Sequence, residues 1–314
     1  MEYPQALQKN DIIKIISPSN GIISSKNINV LNSAIHFFHD RQFKIEEDLY
    51  VRNSINGMSA SGYDRAKEFT KNMKDKHIQA MIACTGGDYL IQILDKIDWN
   101  CCRNNIKWIQ GQSDITGLIY YITTKYDMAT IYSFNIKKYG DPKISHSILE
   151  NSLLFLQNNP PKQQITLEDC SIINPFDFIS GRIIGGCLDS LKDIIGTEFD
   201  CTKSFIEKYK DDGIIWYFDI ANMTNEDILR TMWQFENAGW FNYCKGILFG
   251  KLLEEITYTN MDLKKLLLDS LSNLNIPILY NMDFGHKNPF LTFVNGSLIK
   301  VIYHKNIMIE TYYI

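Results

Sequence analysis

Short β-branched runs alternate with amphipathic stretches through the first half of the chain, and this alternation constrains the fold more than any other feature. The run from Asp11 to Ser17 is typical of a strand and ends at a Pro-Ser-Asn-Gly turn. The stretch from Asn27 to His39 carries apolar residues at helical spacing, and a second helix is predicted from Gly62 to Lys74. Strands and helices that alternate at these lengths predict βαβ units around a parallel sheet.

The alternation continues to the middle of the chain and then changes character. Further elements are predicted as strands over Ala80–Cys84, Ile106–Gln110, Gly213–Asp219, Gly246–Phe249, Leu291–Phe293 and Leu298–Tyr303, and as helices over Ile115–Thr124 and Glu226–Ala238. Between about 138 and 178 the composition shifts to Pro, Asn, Gln and Lys, which is typical of a linker or covering segment. We therefore predict an α/β protein with a flavodoxin-like or Rossmann-like parallel-sheet domain at 1–140 and a linker at 141–176. A mixed α/β, β-rich swivelling domain is predicted at 177–314.

Composition and charge exclude several classes of function. Hydrophobic residues make up 45% and charged residues 22% of the 314 residues, which is typical of soluble globular proteins. The net charge is −4 and the lysines are dispersed, so no nucleic-acid partner is predicted. The longest apolar runs are far shorter than the ~20 residues of a membrane span, and the N-terminus lacks a secretory pattern. We expect a cytoplasmic protein without a membrane partner.

The chain offers no pattern for a disulfide framework, a metal or a nucleotide. Its seven cysteines are scattered without a Cys-x-x-Cys pair, which predicts reduced, mostly buried thiols. The sequence contains neither His-Glu-x-x-His nor a glycine-rich nucleotide loop. We therefore predict chemistry that needs no metal and no other cofactor.

Three motifs follow predicted strands of the first half, where ligands of doubly wound sheets bind: Pro18-Ser19-Asn20, Gly86-Gly87 and Ser113-Asp114. A serine on a tight strand-to-helix turn is exposed beside backbone N–H groups that can hold an oxyanion. Gly111 would allow that turn, and Gly86-Gly87 would let a second N–H group approach. A Ser-Asp pair before an apolar run is also typical of a helix N-cap, and the motif taken alone favours that interpretation over catalysis.

A catalytic serine also needs a base and a group that orients the base. His286 lies in a loop bounded by glycine and proline, where its side chain could point into a cleft or simply lie on the surface. The other histidines lie in a predicted helix, in polar surroundings or just after a strand: His36, His39, His77, His146 and His304. Asp219 ends an apolar strand and is a candidate carboxylate, although such a residue is also a common turn former.

The order of these motifs resembles the LD-carboxypeptidase family, the serine peptidase group that also includes microcin self-immunity proteins. The resemblance runs from about Gln8 to Val301. It is carried by the opening strand with its Pro-Ser turn, a Gly-Gly loop, a Gly-x-Ser-Asp turn, a Gly-Gly-x-Leu element, a helix and strand after the acid, and a Phe-Gly-His loop. In this sequence these are Ile13–Ser19, Ile78–Gly87, Gly111–Asp114, Gly181–Leu188, Asp227–Lys251 and Pro277–His286.

The resemblance implies a triad split over the two halves of the chain, with Ser113 as nucleophile, His286 as base and Asp219 as acid. Backbone N–H groups of Gly87 and Asp114 are implied as the oxyanion hole. The family reaction removes terminal D-alanine from murein tetrapeptides during cell-wall recycling, and the microcin branch hydrolyses an amide between a peptidyl carboxyl group and a nucleotide. A small peptide or peptidyl-nucleotide substrate and a homodimer are therefore expected.

The chain departs from the family pattern at three positions. Asp219 replaces a Glu and is one methylene shorter, so a local shift or a bridging water is expected between it and His286. Gln112 replaces an aromatic residue beside the nucleophile, and Cys187 replaces an Asn after the Gly-Gly pair. A weakly active or inactive peptide-binding protein on the same scaffold is the alternative to an active hydrolase.

Overall fold

The computed structural model describes residues 1–165, 170–287 and 290–314, which form two compact units. The first unit comprises Met1–Pro160 and Thr292–Val294, and the second comprises Pro161–Leu291 and Asn295–Ile314. These bounds differ from the predicted division at 1–140, 141–176 and 177–314. Residues 166–169 of the predicted linker, and Asn288 and Pro289 at the end of the predicted histidine loop, lie outside the described residues.

A six-stranded sheet forms the centre of the first unit. Its strands are β1 (Ile12–Ile16), β2 (Lys44–Glu47), β3 (Ile78–Ala83), β4 (Trp108–Gly111), β5 (Thr130–Tyr132) and β12 (Phe293–Asn295). Their order in the sheet is β12-β5-β4-β3-β1-β2, and the pairings that join β1 to β5 are parallel. The central strands β3 and β4 are almost wholly buried, as expected for parallel strands covered on both faces.

The helices of the first unit connect these strands. They are α1 (Ser25–His39), α2 (Gly62–Lys74), α3 (Ile91–Leu94), α4 (Asn100–Arg103), α5 (Thr116–Tyr126) and α6 (His146–Leu156). The first two begin at serine N-caps, Ser24 and Ser61, whose side chains accept backbone hydrogen bonds from the first turn. Helix α5 is buried along its whole apolar stretch, which explains why its sequence shows little amphipathic pattern.

The second unit is built on an eight-stranded mixed sheet. Its strands are β6 (Gln163–Ile165), β7 (Ser171–Ile173), β8 (Phe178–Cys187), β9 (Ile214–Asp219), β10 (Cys244–Lys251), β11 (Ile278–Gly285), β13 (Leu298–Tyr303) and β14 (Ile307–Tyr312). Their order is β6-β14-β13-β8-β9-β10-β11-β7. Strands β8 to β11 pair in parallel, and the strands that flank them pair antiparallel.

The helices of the second unit are α7 (Leu188–Leu191), α8 (Thr202–Lys208), α9 (Asn225–Asn237) and α10 (Leu263–Leu271). Helix α9 has Thr224 as its N-cap, and the Thr224 hydroxyl accepts the N–H of Asp227. Aromatic rings fill the core beside β9, where Trp216 stacks on Trp240 with ring centroids 5.5 Å apart. This packing fixes the strand that ends at Asp219.

The predicted fold class is confirmed, because a parallel sheet in the first unit is followed by a mixed α/β unit. The segment predicted as a linker differs most from the structure, since it contains helix α6 and two strands, β6 and β7. Helix α6 buries Leu149, Leu153 and Leu156 at three- and four-residue spacing, and the many polar residues around it conceal this pattern. All seven cysteines lie in the described part of the chain, where none of them forms a disulfide, and four of them are buried.

Candidate active site

Ser113 lies on the turn between β4 and α5, at the start of a short 3-10 helix over Ser113–Ile115. Its φ of +63° is in the left-handed region, which is uncommon for a residue other than glycine. Gly111 has a different role from the predicted one. A Cβ at Gly111 would lie 2.6 Å from Ile115 Cγ2, so this glycine makes room for the helix while Ser113 itself makes the turn.

Neither Ser113 nor Asp114 caps helix α5. The N-cap position of this helix is Ile115, and no side chain donates or accepts a capping hydrogen bond there. The N-cap of the preceding 3-10 helix is Gln112, which also makes no side-chain cap. The helix-capping interpretation of the Ser-Asp motif therefore does not describe this turn, and the partly exposed Ser113 side chain is left for another role.

The Gly86-Gly87 loop packs directly against the turn that carries Ser113. A Cβ at Gly86 would lie 3.0 Å from Ser113 Cβ and 3.2 Å from its Oγ. A Cβ at Gly87 would lie 2.4 Å from the Oγ of Ser19, on the Pro-Ser turn after β1. Three motifs predicted at the carboxyl ends of strands are thus brought together, and only glycine fits between the two serines.

The Asp114 carboxylate joins these loops. Its Oδ2 accepts a hydrogen bond from Ser19 Oγ at 2.5 Å and another from the backbone N–H of Leu90 at 2.9 Å. Burial raises the pKa of Asp114, although both hydrogen bonds act in the opposite direction. Asp88 raises this pKa further and Arg65 lowers it.

Arg65 supports the same loops from within the first unit, where it is 2% exposed. Its Nη1 donates to the carbonyl oxygen of Pro18 at 2.8 Å and to that of Tyr89 at 3.0 Å. Its Nε donates to Ala60 O at 3.0 Å, and its Nη2 donates to Gln92 Oε1 at 2.8 Å. The guanidinium therefore binds three backbone carbonyl oxygens of residues that lie outside the helices and strands.

In the second unit, Asp219 contacts His286 directly. The Nδ1 of His286 lies 3.0 Å from both carboxylate oxygens of Asp219. Asp219 is fully buried at the end of β9, whereas the His286 side chain is 20% exposed. The shorter acid thus reaches the imidazole without the local shift or bridging water expected from the sequence.

Gly285 makes this contact possible. It has a φ of +113°, and a Cβ at this position would lie 2.6 Å from Asp219 Oδ1. Because no other residue fits so close to the carboxylate, the backbone before His286 can lie against the end of β9. A carboxylate in contact with Nδ1 favours the tautomer that carries its proton there, which leaves Nε2 able to accept a proton.

Cys187 is the neighbour of Asp219 in the adjacent strand, since the two residues are register partners between β8 and β9. Burial raises the pKa of the Cys187 thiol, and the charges of Asp219 and Asp189 raise it further. The thiol therefore stays protonated beside the carboxylate.

In the first unit, Gln112 is buried and its backbone N–H donates to Asn135 Oδ1 at 3.1 Å.

Ser113, Gly87 and Asp114 lie in the first unit, and Asp219 and His286 lie in the second. Sequence reasoning missed the parts played by Ser19, Arg65 and Gly285. The Pro-Ser turn indicated Ser19, but nothing in its pattern indicated which carboxylate Ser19 contacts.

Among residues 1–165, 170–287 and 290–314, no cluster of three or more His, Cys, Asp or Glu residues could hold a metal ion.

Membrane-spanning helices are likewise absent from the described part of the chain, in which no helix is both long and apolar enough to cross a bilayer.

Family models and a named relative match this chain over most of its length. The model of the LD-carboxypeptidase N-terminal domain matches residues 13–133, and that of the C-terminal domain matches residues 180–301. A Treponema pallidum protein named "Putative carboxypeptidase" is 24% identical over 94% of this chain and 90% of its own length.

Two solved structures share the fold. The microcin self-immunity protein MccF, in complex with aspartyl sulfamoyl adenosine, matches with a TM-score of 0.82 at 20% identity over 100% of this chain and 99% of that one. A muramoyltetrapeptide carboxypeptidase from Oxalobacter formigenes matches with a TM-score of 0.79 at 18% identity over 96% and 98%. With both domain models matched in order, the chain belongs to the LD-carboxypeptidase family of peptidases.

Proposed function

We propose that this chain is a serine hydrolase that acts as an LD-carboxypeptidase on murein-derived tetrapeptides. The observation that carries the proposal is the 3.0 Å contact between Asp219 and Nδ1 of His286. A buried carboxylate that orients a partly exposed imidazole is the arrangement a general base requires. The family membership supplies the reaction class.

In the proposed mechanism, Nε2 of His286 takes the proton of the Ser113 hydroxyl as Oγ attacks the carbonyl carbon of the scissile amide. The N–H groups of Gly87 and Asp114 hold the oxyanion of the tetrahedral intermediate. His286 then gives its proton to the departing amine of the D-residue, which leaves an acyl-enzyme ester on Ser113. A water molecule, deprotonated by the same imidazole, hydrolyses the ester and restores Ser113.

The backbone of Ser113 supports its part in this mechanism. A non-glycine residue in the left-handed region costs about 1–3 kcal/mol and persists only where the surroundings enforce it. Here the strain places a hydroxyl at the start of a helix and beside the Gly86-Gly87 loop. An ordinary N-cap would not need this conformation.

Product analysis by mass spectrometry tests the proposal. Incubation with an L-Ala-D-Glu-diaminopimelate-D-Ala tetrapeptide should release D-alanine, and Ser113→Ala should abolish the release. Unchanged release by Ser113→Ala would refute the mechanism. An all-L analogue of the tetrapeptide serves as the control substrate and should remain intact.

A second candidate is an amidase that hydrolyses the bond between an aminoacyl or peptidyl group and a nucleotide. It is supported by the likeness to MccF, whose solved complex holds aspartyl sulfamoyl adenosine. The same mass-spectrometric assay with aminoacyl sulfamoyl nucleosides separates the two, because a nucleotide-directed enzyme should release the amino acid from them and leave the tetrapeptide intact.

An inactive binding protein on this scaffold is the remaining alternative. A fluorophosphonate probe should label Ser113 stoichiometrically if the nucleophile is active, and no labelling would favour a binding role. Family membership further supports a homodimer that works in the cytoplasm. Sedimentation equilibrium and cell fractionation test these two properties.

A further inference from the structure

One carboxylate oxygen in the first unit is shared by loops that are far apart in the sequence. Asp114 Oδ2 accepts from Ser19 Oγ, 95 residues earlier in the chain, and from Leu90 N. Gly87 lies against the first of these partners, since a Cβ on it would meet Ser19 Oγ at 2.4 Å. The position of the Gly86-Gly87 loop is therefore limited from one side by Ser19 and from the other by the turn of Ser113.

Arg65 joins the same two loops through their carbonyl groups. It donates to Pro18 O and Tyr89 O, each one residue before a partner of Asp114. The charge of Arg65 also lowers the pKa of Asp114, against the effect of burial. The carboxylate and the guanidinium thus hold the Pro-Ser turn and the Gly-Gly loop together by independent hydrogen bonds.

We propose that Ser19, Asp114 and Arg65 are positioning residues that fix the Gly87 N–H group at the distance from Ser113 at which it can hold an oxyanion. The inference rests on the proposed function and assigns its oxyanion hole a dedicated support. Such a hole works only when its donors are already in place, because tolerances are about 0.5 Å. Without the Ser19 hydroxyl, the Gly-Gly loop keeps the Leu90 bond but loses the contact that limits it on the side of β1.

Ser19→Ala is the first test variant, and Ser17→Ala is its matched control. Both serines are buried just after β1, and each donates to a partly buried carboxylate. Ser17 Oγ donates to Asp48 Oδ1 at 2.6 Å, and burial raises the pKa of Asp48 as it does that of Asp114. The two substitutions therefore remove the same kind of bond, but only Ser19 contacts the residue after the nucleophile.

The readouts are the second-order rate of Ser113 labelling by a fluorophosphonate and the kcat and KM for the tetrapeptide. Ser19→Ala should lower the labelling rate and kcat by about 10- to 100-fold and change KM by less than about 2-fold. The reason is that a displaced Gly87 N–H group weakens binding of the oxyanion in the transition state and leaves substrate binding unchanged. Ser17→Ala should change all three by less than about 2-fold, with a similar decrease in Tm.

Asp114→Ala and Asp114→Asn provide a second pair. The amide oxygen of Asn can still accept from Ser19 and Leu90, so the Asn variant should retain at least about ten times the labelling rate of the Ala variant. Equal rates in this pair, or equal losses in Ser19→Ala and Ser17→Ala, would overturn the inference while the parent remains an active hydrolase. A parent that is labelled but cleaves no tetrapeptide would instead overturn the substrate assignment, and the labelling rates would still decide the inference.

Discussion

Asp219→Glu restores the acid typical of the family, and we expect it to reduce activity in this chain. The Asp219 carboxylate already contacts His286 Nδ1 at 3.0 Å and has no exposed surface. Its Oδ1 lies close to Gly285, where a Cβ would come within 2.6 Å. An added methylene has no space on this side, so the longer carboxylate must displace either the β9 end or the backbone before His286.

The size of the effect follows from two limits. Insertion of a methylene into a packed interior costs about 1–3 kcal/mol. If the His286 alignment takes up that strain, the rate falls by about 5- to 150-fold. Complete loss of the orienting carboxylate, as in Asp219→Asn, can cost about 10⁴-fold, because the imidazole then holds the wrong tautomer. Asp219→Glu should therefore lie between the parent and Asp219→Asn.

Labelling of Ser113 by a fluorophosphonate measures these rates without a known substrate, and mass spectrometry identifies the labelled residue. Asp48→Glu is the control, because it adds the same methylene to a partly buried carboxylate that does not contact His286. It should lower Tm and leave the labelling rate unchanged. A labelling rate for Asp219→Glu equal to or above that of the parent would show that the longer carboxylate fits beside Gly285 and still orients His286. The expected lack of space at Gly285 would then be wrong.

Three further predictions concern other positions. Gly86→Ala should lower the labelling rate about 10-fold or more, because its Cβ would lie 3.0 Å from Ser113 Cβ and displace the turn. Burial alone would raise the pKa of Glu226, but hydrogen bonds from Thr259 and Thr257 lower this pKa to about 2. The ionised Glu226 therefore contributes fully to stability above pH 4.5, and this contribution disappears as the pH falls toward 2. The Tm difference between the parent and Glu226→Gln should therefore shrink over that interval and stay constant above it. Cys187 should resist iodoacetamide at pH 8 until the protein is unfolded, since burial raises the pKa of its thiol; peptide mapping that finds it alkylated in the native protein would contradict this.

Helices with strong periodicity were predictable from the sequence. The interval Gly62–Lys74 agrees at both ends with α2, and the prediction from Asn27 to His39 begins two residues inside α1. Serine N-caps and apolar spacing mark these helices locally, so no tertiary information is needed. The short strand β5 was missed, because three buried residues carry neither alternation nor a distinctive composition.

The candidate site was predictable only in part, and the reason is geometric. Each motif could be located at the end of a strand, since strand direction follows from the βαβ pattern. A local sequence pattern does not show which loops contact each other in the folded chain, so the hydrogen bond between Ser19 and Asp114 was not predicted. The reach of Asp219 likewise depends on the missing side chain of Gly285, 66 positions away in the chain, rather than on the length of the acid.

The return of residues 292–294 to the first sheet has a consequence for how the protein is made. The first sheet ends at β12, beside β5, and Ser133 on the β5 side bonds the Thr292 hydroxyl at 2.8 Å. During synthesis on the ribosome, the first 160 residues emerge long before this strand exists. Until then, the nascent sheet has β5 as an edge strand with unpaired backbone groups, and such an edge can pair with other chains. The edge of β5 is therefore covered only after residues 292–294 have been synthesised.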